Sequence, residues 1–179
     1  MAKSITILLV EDDPNDALLI RLALQRILSE VAISVAVNGV EAVEYLRGAG
    51  PYSDRSLYPF PDVVLLDLML PLMGGVDVVR WIRRRPEMKL LPVIALTGSL
   101  RDEDARFALE AGANFCALKS QGFRRLAEIV MEVGESHSTA PKAVELADTP
   151  ELADADDLAG VEVPPSTINQ IVAGGDASH

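Results

Sequence analysis

Five times between Ser4 and Val133 a short apolar run is followed by a segment with apolar residues at helical spacing, and no other feature of the chain constrains its fold as tightly. The alternation reads as (βα)₅. Strand candidates are residues 5–10, 33–37, 63–67, 92–97 and 115–119. The near-continuous Val, Ile and Leu of the third and fourth suit strands covered on both faces, which is the situation in a parallel sheet. Right-handed crossovers then give a doubly wound α/β sheet with helices on either side. The first helix has the best-marked start, with Asp13 as N-cap, Pro14 at the first helical position, and Ala17, Ile20, Leu24 and Ile27 on one face. The remaining helix candidates are residues 40–47, 75–84, 102–111 and 122–133, with Gly112 placed to terminate the fourth.

At 179 residues and 49% hydrophobic content the chain supports one buried core and not two full domains. That core is expected within residues 1–135. Residues 48–61, rich in Gly and Pro, read as an extended loop lying outside the core. Residues 136–179 contain no Phe, Tyr or Trp, are rich in Ala, Asp and Glu, and are punctuated by Pro and Gly, so an acidic, disordered tail is expected there. The net charge of −11 is uneven: residues 1–133 carry 15 basic and 18 acidic side chains, residues 134–179 carry 1 and 9. A tail of that sign is repelled by phosphate backbones, which argues against nucleic-acid binding. No apolar run approaches the roughly 20 residues needed to span a bilayer, and the N-terminus leads straight into a strand, so a cytoplasmic protein is expected. Cys116 is the only cysteine, which rules out an internal disulfide and a cysteine metal site; it reads as a small buried apolar residue.

Ligands of parallel α/β sheets bind at the carboxyl ends of the strands, and the ionisable residues of this chain collect there. Glu11, Asp12 and Asp13 follow the first strand, Asp67 ends the third, Thr97 the fourth and Lys119 the fifth. Clustered carboxylates repel one another and call for a hard divalent cation, with oxygen-only ligands favouring Mg²⁺ over zinc. A lysine and a hydroxyl beside them are what the equatorial oxygens of a transferring phosphoryl group need. Asp13 is sufficiently explained as a helix cap.

These residues stand in the motifs Leu9-Val10-Glu11-Asp12-Asp13-Pro14, Leu65-Leu66-Asp67-Leu68-Met69-Leu70-Pro71 with Gly74-Gly75, Ala95-Leu96-Thr97-Gly98, Gly112-Ala113 and Lys119. In this the chain resembles the receiver domains of two-component response regulators, from about Ser4 to Val133. The resemblance implies a flavodoxin-like (βα)₅ fold and a non-enzymatic signalling switch. It implies that Asp67 accepts a phosphoryl group from a histidine kinase, that Glu11 and Asp12 form the acidic pair, and that the Met69 carbonyl completes the protein ligands of Mg²⁺. Thr97 would be the switch hydroxyl and Lys119 the contact to the phosphoryl oxygens. The Glu-Asp-Asp-Pro-Asn-Asp start and the Gly-Pro-Tyr loop resemble small stand-alone regulators paired with bacterial phytochrome kinases, and the family often forms a homodimer through the fourth helix, fifth strand and fifth helix.

Two positions depart from the family pattern. Ser120 follows the lysine where a cis proline is usual, and since a non-proline cis bond costs roughly 2.5–4 kcal/mol, a trans turn is expected. Cys116 stands where a Tyr or Phe switch residue is common, so output must travel by a route other than aromatic rotation. These departures give the competing reading, a phosphorylation-independent interaction module, its weight. Two readings on the same architecture fail on named residues. A haloacid-dehalogenase-type phosphatase needs a second Asp where Met69 stands, and a flavodoxin needs a hydroxyl- and Gly-rich loop where Glu-Asp-Asp-Pro stands. Arg83, Arg84 and Arg85 read as a solvated helix end that complements the helix dipole. His137 and His179, at the edge of the tail and at its last position, read as non-functional.

Overall fold

A computed structural model of the chain describes residues 4–98 and 103–135. Five parallel strands, β1 (Ile5–Val10), β2 (Val31–Ala36), β3 (Val63–Asp67), β4 (Val93–Thr97) and β5 (Phe115–Leu118), alternate with helices α1 (Pro14–Ile27), α2 (Gly39–Arg47), α3 (Gly75–Arg83), α4 (Glu103–Glu110) and α5 (Phe123–Glu135). The strand order β2-β1-β3-β4-β5 is that of a flavodoxin-like doubly wound sheet, and the order reverses between β1 and β3. Successive strand residues face opposite sides, so the sheet builds two cores. Ile7, Leu9, Leu65, Ile94 and Leu96 pack with Ala17, Ile20 and Leu24 of α1 and with Ile129 and Val130 of α5. Leu8, Val10, Val64, Leu66 and Ala95 pack with Ala42, Val78, Val79, Ile82 and Ala108 of α2, α3 and α4. Every residue of β3 and β4 is buried, their apolar runs as a parallel sheet requires and with them the polar Asp67 and Thr97 at their ends. Among the described residues no helix is long and apolar enough to cross a membrane.

The helix boundaries follow their caps. Asp13 Oδ1 accepts the N–H groups of Asn15 and Asp16 at 2.7 and 3.2 Å, holding the first turn of α1 behind Pro14. Gly112 (φ 107°) ends α4 in a Schellman pattern, with Gly112 N–H donating to Leu109 O and Ala113 N–H to Ala108 O. Cys116 is buried in β5, and burial pushes its thiol up to about 11. No peptide bond among the described residues is cis, and Lys119–Gln121 forms a 3-10 turn.

Four expectations need correction. Ile27 is 41% exposed, and the buried face of α1 runs through Ala23 and Leu24 to Leu28 at the C-cap, which turns Ile27 to the outside of the last turn. The second strand begins two residues earlier and ends at Ala36: Ile5 and Thr6 pair with Val31 and Ala32, while the Val37 N–H is claimed by Glu41 Oε2 at 2.9 Å. Residues 48–61 do not lie outside the core. Tyr52 is buried and packs, tilted, against Tyr45 at 5.2 Å between ring centroids, and Tyr58 meets both edge-on. Tyr52 donates to Glu41 Oε1, Tyr45 donates to Pro59 O at 2.9 Å, and Arg55 donates to Leu46 O at 2.7 Å and Tyr58 O at 3.1 Å. Lastly, Arg83 is no solvated helix end. Its guanidinium donates to Gly112 O, Leu91 O and Asn114 Oδ1, each at 2.8 Å, bracing α3 against the chain on either side of β4. Arg85 instead stacks over the Trp81 ring at 3.4 Å. The expectations for the tail, including His137 and His179, fall outside the described residues.

The β3–α3 connection carries one strained residue. Leu72 has φ 66°, and the N–H of Met73 donates to Pro71 O at 2.7 Å, a γ-turn that forces Leu72 into the left-handed region. Its side chain is 85% exposed, so packing does not compensate. Leu72→Gly removes the Cβ conflict but loosens the unfolded chain, and the balance is an expected gain of about 0.5–1 kcal/mol in unfolding free energy. Urea denaturation of the two proteins checks it; equal or lower stability of the glycine variant would show that relief of the Cβ conflict does not outweigh the added freedom of the unfolded chain.

Candidate functional site: a carboxylate cluster around Lys119

The carboxyl ends of β1, β3, β4 and β5 meet on one edge of the sheet, and the site is assembled there. Parallel pairing of Val10 with Leu66 and of Asp67 with Leu96 sets the ends of β1, β3 and β4 side by side. Glu11, Asp12 and Asp67 each bring a carboxylate oxygen to within 4.8 Å of the others. Glu11 and Asp67 are buried and Asp12 is exposed, so the cluster has a closed floor and an open mouth. Thr97, buried at the end of β4, lies one residue past the partner of Asp67. Met69 is 70% exposed and its N–H donates to Asp67 Oδ1 at 2.8 Å, fixing the carboxylate from the loop side. Two glycines let the backbones come this close. A Cβ on Gly75 would stand 2.4 Å from Asp67 O, and one on Gly39 would stand 2.2 Å from Met73 O.

Lys119 reaches into the cluster from the end of β5. Its ammonium donates to Asp67 Oδ2 at 2.7 Å and to Asp16 Oδ2 at 3.0 Å. It also lies 2.7 Å from Glu11 Oε2, a third carboxylate partner at ion-pair distance. The trans turn after Lys119 therefore still aims the side chain at Asp67. Burial alone would lower the Lys119 pKa, but its bonds to Asp67, Glu11 and Asp16 outweigh burial and hold it above its ordinary value. All six residues singled out in the sequence gather here. Asp16 was missed: an acidic residue in a first helical turn is accounted for by the dipole, and nothing local signals a partner 103 positions away.

Glu11 carries the electrostatic strain of the site. Burial pushes its carboxyl up, the nearby Asp67 charge adds to this, Lys119 opposes it, and the result is about 7 against an ordinary 4.5. A folded-state pKa above the unfolded one means the native protein binds the proton more tightly, so this contribution to stability is complete below pH 4.5 and is lost as pH rises through 7. Asp13 and Asp54, held low mainly by hydrogen bonds to their carboxylates, act only below about pH 3.8, outside that window. The metal-free protein is therefore expected to lose about 2–3 kcal/mol of stability between pH 4.5 and 7, and Glu11→Gln to flatten the profile. Denaturation midpoints across that range check it, and a wild-type profile as flat as that of Glu11→Gln would contradict it.

The chain matches the family model described as response regulator receiver domain over residues 7–131. It is 31% identical over 127 residues to response regulator Rcp1 of Synechocystis sp., an alignment covering 71% of this chain and 84% of that protein. The structure is similar to that of a phosphorylated cyanobacterial phytochrome response regulator, RcpA, with TM-score 0.64 and 31% identity over 78% of this chain and 100% of that one. It is also similar to the Mn²⁺-bound form of Rcp1, with TM-score 0.60 and 30% identity over 77% and 99% of the two chains. With the sheet order, the acidic cluster and this match in agreement, the chain belongs to the response-regulator receiver family, the phosphorylation-switched signalling domains of two-component systems.

Proposed function

We propose that Asp67 is the phosphoacceptor, with Mg²⁺ as the metal and a histidine kinase, of the phytochrome type, as the donor. The observation that carries this reading is the junction of Asp67 with Lys119 at 2.7 Å inside a group of three carboxylates. Lone acidic residues at helix starts are common, but a buried glutamate and a buried aspartate with a third, exposed carboxylate within 4.8 Å form an oxygen donor set that fits a hard divalent cation. Glu11, Asp12, Asp67 and the Met69 carbonyl would hold the ion, which supplies positive charge against the oxygens of the transferring group. The similarity to a Mn²⁺-bound regulator supports a divalent ion at this place.

In the transfer, an Asp67 carboxylate oxygen forms a bond to phosphorus as the P–N bond of a phosphohistidine breaks, and the electron pair leaves on the imidazole nitrogen. Lys119 neutralises charge on the phosphoryl oxygens, and the Thr97 hydroxyl donates to one of them, a charge-assisted bond of about 1.5–3 kcal/mol that draws β4 toward the site. The output is contact with other proteins in the cytoplasm, including a second copy through α4, β5 and α5, and not turnover of a substrate. With Cys116 buried in β5, the change is carried by helix packing. On this reading acidic residues 136–179 are dispensable for phosphorylation. Incubation with acetyl phosphate, with and without Mg²⁺, followed by intact mass and peptide mapping, tests the reading: one Mg²⁺-dependent phosphoryl group on Asp67 is expected, and a label elsewhere refutes it.

A further inference from the structure

Among the described residues Lys119 touches three carboxylates that are not equivalent. Glu11 and Asp67 belong to the close-set group with Asp12, and their side chains are 1% and 7% exposed. Asp16 stands outside that group, on the first turn of α1, with its side chain 43% exposed. Its place is nonetheless firm, since the Asp13 carboxylate holds the Asp16 N–H and Pro14 fixes the turn. A helix N-terminus favours an acidic side chain at any first-turn position, but that preference does not turn the side chain away from its own helix toward β5. Lysine, for its part, is a point charge on a flexible stem, and here it stands at the start of a 3-10 turn followed by Gly122 at φ 85°. On the reading of Asp67 as acceptor, on which this inference rests, a cation and a phosphoryl group engage Glu11 and Asp67. Asp16 is then the one of Lys119's three carboxylate partners that stays unengaged.

We propose that Asp16 is a positioning residue for phosphoryl acceptance, holding the Lys119 ammonium at the mouth of the site from the α1 side before and after the group arrives. The tether limits the swing of the lysine to an arc that contains the phosphoryl oxygens, a constraint that the trans turn at Ser120 does not itself impose. Asp16 touches neither the metal group nor the acceptor, so its removal should change how well Lys119 is aimed and leave metal binding largely alone.

The test compares wild type, Asp16→Asn, Asp16→Glu and Asp67→Asn in two measurements, the rate of labelling by acetyl phosphate at saturating Mg²⁺ and Mg²⁺ affinity by calorimetry. Asp16→Asn is expected to label about tenfold more slowly, the lower end of what losing an orienting partner costs. Its Mg²⁺ affinity should change by less than about threefold, because a half-exposed carboxylate outside the ligand group acts on the ion through screening water. Asp16→Glu, which keeps a carboxylate within reach, should recover most of the rate. A wild-type labelling rate in Asp16→Asn overturns the proposal, and so does a slowing matched by an equal loss of Mg²⁺ affinity, which would make Asp16 part of the metal site. Labelling of Asp67→Asn overturns the acceptor assignment instead, and does so independently of either Asp16 variant.

Discussion

Asp67→Asn is expected to take up no phosphoryl group under conditions where the wild type takes one, while folding normally. The amide has no anionic oxygen to attack phosphorus, and its remaining carbonyl cannot serve both the Met69 N–H, now at 2.8 Å from Oδ1, and the Lys119 ammonium, now at 2.7 Å from Oδ2, as the carboxylate does. The scaffold around it does not depend on the side chain: Leu68 N–H donates to Leu96 O and Gly75 N–H to Leu68 O through the backbone alone. Removing the Asp67 charge also removes one of the causes that raise Glu11, so the stability loss between pH 4.5 and 7 should shrink in this variant. Intact mass after incubation with acetyl phosphate and Mg²⁺ reads the first effect and denaturation across pH the second. An asparagine variant that labels at a second carboxylate would mean that the buried cluster has another nucleophile.

The largest loss of stability is expected away from the site, at Arg83. Truncation to Ala removes the donors to Leu91 O and Gly112 O and the charged donor to Asn114 Oδ1, which keeps the N–H of Val93 at 2.9 Å. Hydrogen bonds from a charged donor contribute about 1.5–3 kcal/mol each, and after discounting for partial solvent access the three together give an expected cost of about 3 kcal/mol. For a folded unit of this size the corresponding drop in Tm is on the order of 10 °C. Arg83→Lys should recover only part of this, since an ammonium cannot reproduce a planar fork that serves three acceptors. Chemical denaturation of both variants decides it: a loss below about 1 kcal/mol in Arg83→Ala would show that water replaces the fork.

Elements whose cause is local were legible in the sequence. The burial of β3 and β4 on both faces is written in their apolar runs, residues 63–66 and 93–96, and the start of α1 in Asp13-Pro14. The strand ends that carry Glu11, Asp67, Thr97 and Lys119 follow from the alternation, and the sheet brings them to one edge. What escaped depends on partners distant along the chain or on the shape of a loop. Arg83 looks like any helix-terminal arginine until Asn114 is seen 31 positions away, and Asp16 like any first-turn acid until Lys119 is. The Gly- and Pro-rich composition of residues 48–61 signals turns correctly, yet hides that the turns fold Tyr52 and Tyr58 back onto Tyr45. The shift in β2 has the same origin, for its ends are set by pairing with β1 and by the cap of α2 and not by hydrophobicity.

The close approach of backbones at Gly39 and Gly75 bears on how a chain of this kind can diversify. Neither glycine has chemistry to offer, yet a methyl group at either would drive into the loop between Asp67 and Met73, at Met73 O or Asp67 O. A chain that exchanges Gly75 must move the backbone of the acceptor itself, and one that exchanges Gly39 must move the far end of the same loop, so the constraint acts there through space alone. Met69, in the same loop but 70% exposed, meets no such barrier, whereas Leu72, 85% exposed, is limited by its own φ of 66°. Side-chain variation therefore has room to accumulate at Met69 while the backbone geometry beneath it stays fixed.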